Sequence, residues 1–178
     1  MDGLDTFREF LDHHPHDVVS IFFEDYVSGD ETRAAFDAAG LTQYVYVHPD
    51  GAEWPTLGQL VATDRRLVVF VEHHGGPADW YQYGWQQVQD TRFDVPSIAD
   101  FNCNLNRGLP DSPLFLLNNW IAKQVPSPDD ARAVNGYGFL LARARQCEAE
   151  RHRLPNFIAV NFYDRGDLFA VVDTLNGF

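Results

Sequence analysis

The amino-acid sequence predicts an α/β fold built around a parallel sheet. Its short apolar runs are continuous rather than alternating, which is typical of parallel strands buried on both faces. Amphipathic helical stretches alternate with these runs, as they do in α/β proteins. The predicted strands lie at Val18–Phe23, Tyr44–Val47, Leu67–Val71, Leu114–Leu117 and Phe157–Phe162.

Three helices are predicted from their start and stop signals. Two begin with capping boxes, and the third begins with a serine cap, a first-turn proline and two acidic residues. They run from Ser28 to Gly40, from Thr56 to about Ala62, and from Ser127 to about Glu150. Residues 75–112 are rich in Gly, Pro, Asn and aromatic residues, which predicts a long loop region.

The strand count does not decide between an open sheet and a closed barrel. A (β/α) barrel needs eight strands and roughly 200 residues or more, whereas the pattern gives about five strands. Either the sheet is open or strands are missing. The chain of 178 residues contains no repeat or obvious linker, so a single domain over residues 1–178 is expected.

The charge of the chain excludes some classes of partner. Thirteen basic against 26 acidic side chains give a formal net charge of −13. This balance disfavours nucleic-acid binding and a general electrostatic attraction to anionic lipid. No apolar run reaches the ~18 residues that a transmembrane helix needs. The acidic start, Met1 to Asp5, contains no signal region, so a native protein that began here would be cytoplasmic.

The two cysteines do not form a recognisable framework. Cys103 and Cys147 lie 44 residues apart without companion pairs, which is a poor pattern for a zinc site. One disulfide is compatible with the sequence if the parent protein is secreted. The sequence leaves open whether the two are bonded.

Polar residues follow four of the apolar runs. In parallel α/β folds, ligands bind at the carboxyl ends of the strands, so these residues form a candidate site. The alternative is that strand ends simply run into polar loops. The residues are Glu24, Asp25 and Tyr26; Glu72, His73 and His74; Asn118 and Asn119; and Asn161, Tyr163, Asp164 and Arg165.

Two of these groups favour different interpretations. The carboxylates of Glu24 and Asp25 would repel each other at a buried strand end unless a cation or base lay between them, so they are candidates for a hard divalent ion. Adjacent histidines on an extended segment point in opposite directions. A solvated or hydrogen-bonded structural role is therefore the favoured interpretation for His73 and His74.

An ordered series of segments resembles the phosphatidylinositol-specific phospholipase C-like phosphodiesterases. The first comprises Phe10-Leu11, Pro15, Asp17-Val18-Val19 and Ile21 to Val27, and the last comprises Pro155 to Tyr163 with Asn176-Gly177. Between them lie Trp54-Pro55-Thr56, Arg66 to Phe70, Cys103 with Asn106-Arg107, Leu117-Asn118, and Asn135 with Cys147. The resemblance spans residues 7 to 177, and its strength lies in the order of many weak motifs.

The resemblance implies a distorted TIM barrel that cleaves a phosphodiester, usually in an inositol phospholipid. Two histidines of the family act as general base and general acid, and an Arg or Ca²⁺ stabilises the phosphate charge. The calcium-binding glutamate of metal-using members is best matched by Glu24. Asp25, Asn118, Asn161, Tyr163 and Trp85 are expected to line the substrate pocket, with Trp85 and Tyr83 as candidates to stack on an inositol ring or touch lipid. No other cofactor is implied, and a transient contact with a membrane surface is expected.

The chain also departs from the family pattern. No segment resembles the two that carry the catalytic histidines, so the chain is expected to be the C-terminal part of a barrel that is incomplete at its N-terminus, with no catalytic residue of its own. His13, His14 and His16 precede a strand and lie at the wrong end to replace them. Asn161 stands where the family usually has Asp, and an amide cannot supply the charge of a carboxylate.

Three functions remain open from the sequence. The chain is part of a phosphoric diester hydrolase acting in lipid metabolism, and alone is inactive. Alternatively, it is an inactive remnant that binds a phospholipid headgroup or a protein partner. The third interpretation is a metal-binding protein that uses Glu24, Asp25, Glu72 and a nearby histidine. Relatives of this kind are often exported, so the parent protein is a candidate for secretion.

Overall fold

Two three-stranded parallel sheets organise residues 2–178, which are the residues described by the computed structural model. The chain divides into two compact units, the first ending at Gly84 and the second comprising Trp85–Phe178. The parallel α/β class predicted from the sequence is confirmed. No closed barrel is found among the described residues. The single domain over residues 1–178 stays a prediction.

The first unit contains the sheet β1-β2-β3. Strand β1 pairs with β2 in parallel from Val19 opposite Leu67 to Phe23 opposite Val71. The short β3 pairs with the end of β2. The elements in order are α1 (Asp2–His13), β1 (Val19–Phe23), α2 (Gly29–Ala39), α3 (Leu57–Ala62), β2 (Leu67–Val71) and β3 (Gln82–Tyr83).

The core of the first unit lies between one face of this sheet and the helices. Phe36 of α2 and Leu11 of α1 are fully buried in one cluster with Val69 and Val71. Buried Arg66 connects α1 to the sheet, because its guanidinium donates to the carbonyls of Leu11 and His14 at 2.9 and 2.8 Å. These contacts tie the end of α1 to the residue that precedes β2.

The second unit contains the sheet β4-β5-β6, again all parallel. Short helix α4 (Gly84–Gln87) leads into it. The remaining elements are β4 (Val88–Asp90), β5 (Leu114–Asn119), α5 (Pro128–Val134), α6 (Tyr137–Arg151), β6 (Phe157–Val160) and α7 (Leu168–Asn176). Phe115 and Leu117 of β5 pack against Ala144 of α6. A disulfide between Cys103 and Cys147 lies in this core and settles the question that the sequence left open.

Several element predictions are confirmed. The strand Leu67–Val71 has the predicted bounds, and both capping boxes form, with Ser28 accepting from the Glu31 amide and Thr56 from the Gln59 amide. Gly40 ends α2 in the left-handed conformation. Continuous apolar runs and complementary caps therefore identified these elements from local sequence alone.

Three predictions of elements are wrong. Tyr44–Val47 is not a strand: a 3-10 helix covers Thr42–Tyr44, and only Val45 makes an isolated bridge to Leu67. The helix expected over Ser127–Glu150 is broken at Asn135 and Gly136, which separate α5 from α6. The expected loop over residues 75–112 contains β3, α4, β4 and a 3-10 helix at Ile98–Asp100.

Candidate functional site

In the first unit, Asp25 binds the segment that follows β2. Its Oδ1 accepts the backbone N–H of His73 at 3.0 Å and contacts the ring Nδ1 of His73 at 2.7 Å. Its Oδ2 accepts the backbone N–H of His74 at 3.1 Å. The side chain of Asp25 is 6% exposed, whereas that of His73 is 55% exposed. A buried carboxylate thus holds a solvent-facing imidazole at the carboxyl ends of two parallel strands.

The hydrogen bonds determine the charge state of Asp25. Burial by itself would raise the pKa of this carboxyl, but the bonds from the His73 ring and from the backbone amides of His74 and His73 outweigh it. The pKa of Asp25 therefore lies below its ordinary value, and the group is ionised at neutral pH. Asp25 is a fixed acceptor for its neighbours.

Glu24 is the residue before Asp25, and its side chain is exposed. Among the described residues, no group of three or more His, Cys, Asp and Glu side chains is arranged to hold a metal ion. The calcium role of Glu24 stays a prediction.

An aromatic cluster lies on the face of the first sheet opposite to the core that contains Val69 and Val71. The imidazole of His48 stacks on Trp54 with ring centroids 4.1 Å apart and planes inclined by 7°. Trp54 in turn lies 5.7 Å from Phe70, and Tyr46 lies 5.8 Å from Trp54. Burial lowers the pKa of His48. His48 and Phe70 are buried and Tyr46 and Trp54 are half-buried, so the packed rings cover this face of β2.

The second unit holds a different carboxylate at the end of β4. Asp90 is fully buried, and its Oδ2 accepts from Nε and Nη2 of Arg107 at 2.9 and 2.6 Å. Its Oδ1 accepts the backbone N–H of Arg107 at 2.7 Å. The guanidinium carbon lies 3.9 Å from the ring centroid of Trp85 and 4.4 Å from that of Phe93. The guanidinium of Arg107 is thus held by an ion pair with Asp90 and by packing against the rings of Trp85 and Phe93.

Asn118 and Trp85 lie around this ion pair. Nδ2 of Asn118 donates to Oδ2 of Asp90 at 3.0 Å and to the carbonyl of Thr91 at 2.6 Å. Trp85 is buried and has one ring face covered by Arg107. The structure therefore gives both residues structural contacts, and their pocket role stays a prediction.

Asn161 and Tyr163 lie beyond the end of β6. The carbonyl of Asn161 accepts from Nδ2 of Asn135 at 3.0 Å, and the same amide group donates to the carbonyl of Arg165 at 3.1 Å. Tyr163 is 67% exposed and stands edge-on to Phe169, with centroids 6.4 Å apart. The buried Asn135 thus holds the loop that presents Tyr163.

The structure divides the predicted site residues between the two units. Glu24 and Asp25 belong to the first unit; Trp85, Asn118, Asn161 and Tyr163 belong to the second. Sequence reasoning missed Asp90 because it fell in the region predicted as a loop. Arg107 had one signal, its place in a segment that resembled the family. The exposed and hydrogen-bonded ring of His73 agrees with the solvated or hydrogen-bonded role favoured from the sequence.

None of the helices formed by residues 2–178 combines the length and apolar character that a bilayer span requires.

Comparisons with known proteins give a consistent result. A family model described as PI-PLC X 1 matches residues 1–176. PI-PLC X domain-containing protein 1 of Arthroderma benhamiae is 30% identical over 98% of this chain and 63% of its own length. PI-PLC X domain-containing protein At5g67130 of Arabidopsis thaliana is 30% identical over 94% of the chain and 42% of its own length. An uncharacterized secreted protein of Arthroderma benhamiae is 27% identical over 94% and 45%.

The chain thus spans less than two thirds of the length of these curated relatives. No solved structure gives a significant match.

Proposed function

The chain belongs to the PI-PLC X domain family, and from this premise we propose that it is part of a phosphoric diester hydrolase of lipid metabolism. Its own residues bind and position a phospholipid headgroup or a related small phosphodiester. The complete domain is proposed to be a TIM-like barrel. Parallel strands with fully buried central members, β2 and β5, support that architecture.

One observation carries the proposal: in both units, polar side chains are fixed at the carboxyl ends of parallel strands. Asp25 and His73 follow β1 and β2. Asp90 and Asn118 lie at the ends of β4 and β5 and bind each other. This is the end at which parallel α/β proteins bind their ligands. Calcium at Glu24 is part of the proposal and would stabilise charge on the phosphate oxygens.

Binding rather than turnover is assigned to these 178 residues. Residues 1–178 contain no segment resembling the two that carry the family's acid and base histidines. General acid–base catalysis typically contributes 10²–10⁴-fold per group, so its absence leaves a site that orients the diester without cleaving it efficiently.

The disulfide supports a site of action outside the reducing cytosol. Disulfides persist in oxidising compartments. Both cysteines are buried in the core of the second unit, so the bond is part of the fold. One relative is named a secreted protein. Export of the parent protein is therefore part of the proposal.

A transient membrane contact is proposed for Tyr163, in the loop after β6, and Phe169, in the first turn of α7. Tyr163 and Phe169 are 67% and 66% exposed and adjacent. Aromatic residues of this kind favour the headgroup level of a bilayer. Because the chain carries a formal charge of −13, the matching surface is zwitterionic rather than anionic.

The proposal is tested by separating binding from turnover. Isothermal titration of the chain with glycerophosphoinositol, a soluble headgroup diester, is expected to show saturable binding, with glycerophosphocholine as the mismatched control. Vesicles containing phosphatidylinositol are expected to show no release of diacylglycerol. Absence of any diester binding would refute the proposed function. Turnover that depends on a histidine of this chain would instead refute the assignment of binding alone.

A further inference from the structure

We infer that His73 contacts the ligand of the first unit through Nε2, which accepts a hydrogen bond from a hydroxyl group of a polyol, and that Asp25 is its positioning residue. The inference rests on the proposed function, because it names the part of a headgroup that meets the ends of β1 and β2. The family resemblance assigns His73 no role, and the strand-end pattern favours only a solvated or hydrogen-bonded structural role for it.

The bond to Asp25 fixes the protonation of the ring. Oδ1 and Oδ2 of Asp25 each accept a backbone N–H, so Oδ1 is also the acceptor toward the ring, and the neutral imidazole of His73 carries its proton on Nδ1. This tautomer follows from the hydrogen-bond partner. The lone pair is then on Nε2, on the side of the ring away from Asp25. A hydrogen-bond acceptor of defined direction results.

The acceptor is rigid and accessible at the same time. His73 is bound to Asp25 through both its ring and its own backbone amide, and the next amide, that of His74, binds the same carboxylate. The ring therefore loses little freedom when a ligand binds, which favours affinity. With 55% of the side chain exposed, a ligand can reach it.

The charges around the ring favour a hydroxyl over an anion. Glu24 and Asp25 are acidic residues directly after β1, the strand that pairs with β2. In the absence of a bound cation these carboxylates disfavour a phosphate oxygen by charge repulsion, whereas a neutral hydroxyl group can donate its proton to Nε2. Tyr26, whose ring centroid lies 6.5 Å from that of His73, is 84% exposed and adds an apolar surface for the carbon face of a polyol.

The test uses the whole chain with two separate probes, myo-inositol and inorganic phosphate. In NMR titrations at about pH 8, where histidine imidazoles are generally neutral, myo-inositol is expected to shift the ring signals of His73 saturably. Inorganic phosphate is expected to leave them unchanged. The ring nitrogen signals of wild type should also show the Nδ1–H tautomer, and Asp25→Asn should shift the population toward Nε2–H.

Matched variants distinguish loss of the His73 hydrogen bond from an unspecific loss of binding. His73→Phe keeps a flat ring without an acceptor and should weaken binding of glycerophosphoinositol by about 3- to 10-fold, as expected for one neutral hydrogen bond. His73→Gln, which retains an acceptor, should recover part of this loss. His74→Phe, whose backbone bond to Asp25 remains, is the control and should bind within about 2-fold of wild type.

Each outcome decides the inference. Binding of the diester that is unaffected in His73→Phe overturns the role of His73 while the proposed function stands. Shifts at His73 caused by phosphate rather than by myo-inositol would show an anion site and overturn the hydroxyl assignment. An Nε2–H tautomer in wild type overturns the positioning role of Asp25. Absence of any binding in wild type overturns both this inference and the proposed function.

Discussion

Replacement of Cys103 and Cys147 together by alanine is expected to destabilise the second unit by about 4 kcal/mol. The disulfide joins residues separated by 44 positions. In the chain-entropy model, a loop of this length removes about 13 cal/mol/K from the unfolded ensemble, which corresponds to about 4 kcal/mol at 25 °C. Both cysteines are buried against β5 and α6, so the bond constrains the core directly.

Urea denaturation followed by circular dichroism measures the effect. With a slope of about 2 kcal/mol/M, the midpoint of the alanine variant should fall by about 2 M. Hydrogen exchange locates the loss: the amide of Leu117 in β5 should lose more protection than that of Val69 in β2, which serves as the internal comparison. Reduction of the wild type should have a similar effect.

Two results would contradict this reasoning. The first is a change in unfolding free energy below about 1 kcal/mol, since loop entropy of this size could not then be the main effect of the bond. The second is the titration of two free thiols in native protein prepared without reductant, which would also remove the support for an oxidising compartment.

Three further changes probe particular contacts. Gly108→Ala should lower the free energy of unfolding by at least about 2 kcal/mol, because φ is +86° and a Cβ would lie 2.2 Å from the carbonyl oxygen of Val88. Gly138→Ala is the control: a Cβ there meets open space, so thermal unfolding should be little changed. Asp90→Ala should lower the free energy of unfolding in urea by roughly 3 kcal/mol, because the buried N–H groups of Arg107 and Asn118 would lose their acceptor. The pKa of Asp25 is lowered in the folded state, so its contribution to stability is complete above about pH 4 and is lost as the pH falls through the folded pKa. In acid titrations, the difference in unfolding free energy between wild type and Asp25→Asn should therefore shrink below about pH 4. A difference that stays constant with pH would contradict the role given to these hydrogen bonds.

The sequence predicted those elements whose cause is local. β2 is a continuous apolar run, and α2 and α3 have caps within three residues of their starts, so a short window contains all the information. The break between α5 and α6 was also visible in principle, because Asn135-Gly136 is a turn-forming pair. The failed strand at Tyr44–Val47 has apolar residues but only one bridge to β2, which no local pattern reveals.

The candidate site was harder to predict because its contacts connect distant residues. Arg107 binds Asp90 across 17 positions, and His73 binds Asp25 across 48. Strand alternation predicts that the rings of His73 and His74 lie on opposite sides, but it does not reveal that Asp25 binds one ring and two backbone amides. Family resemblance marked Asp25 and Arg107 as part of matching segments without revealing their partners.

The two buried carboxylates have different consequences for a ligand. Asp90 is paired with the guanidinium of Arg107, so its negative charge is compensated within the second unit. Asp25 accepts from N–H groups of His73 and His74, and these bonds leave its negative charge in place. A phosphodiester that approached this end would be repelled by its charge and held by its hydroxyl groups. The phosphate must then be met by a cation or by donors elsewhere, so calcium at Glu24 and hydroxyl binding at His73 are separable claims.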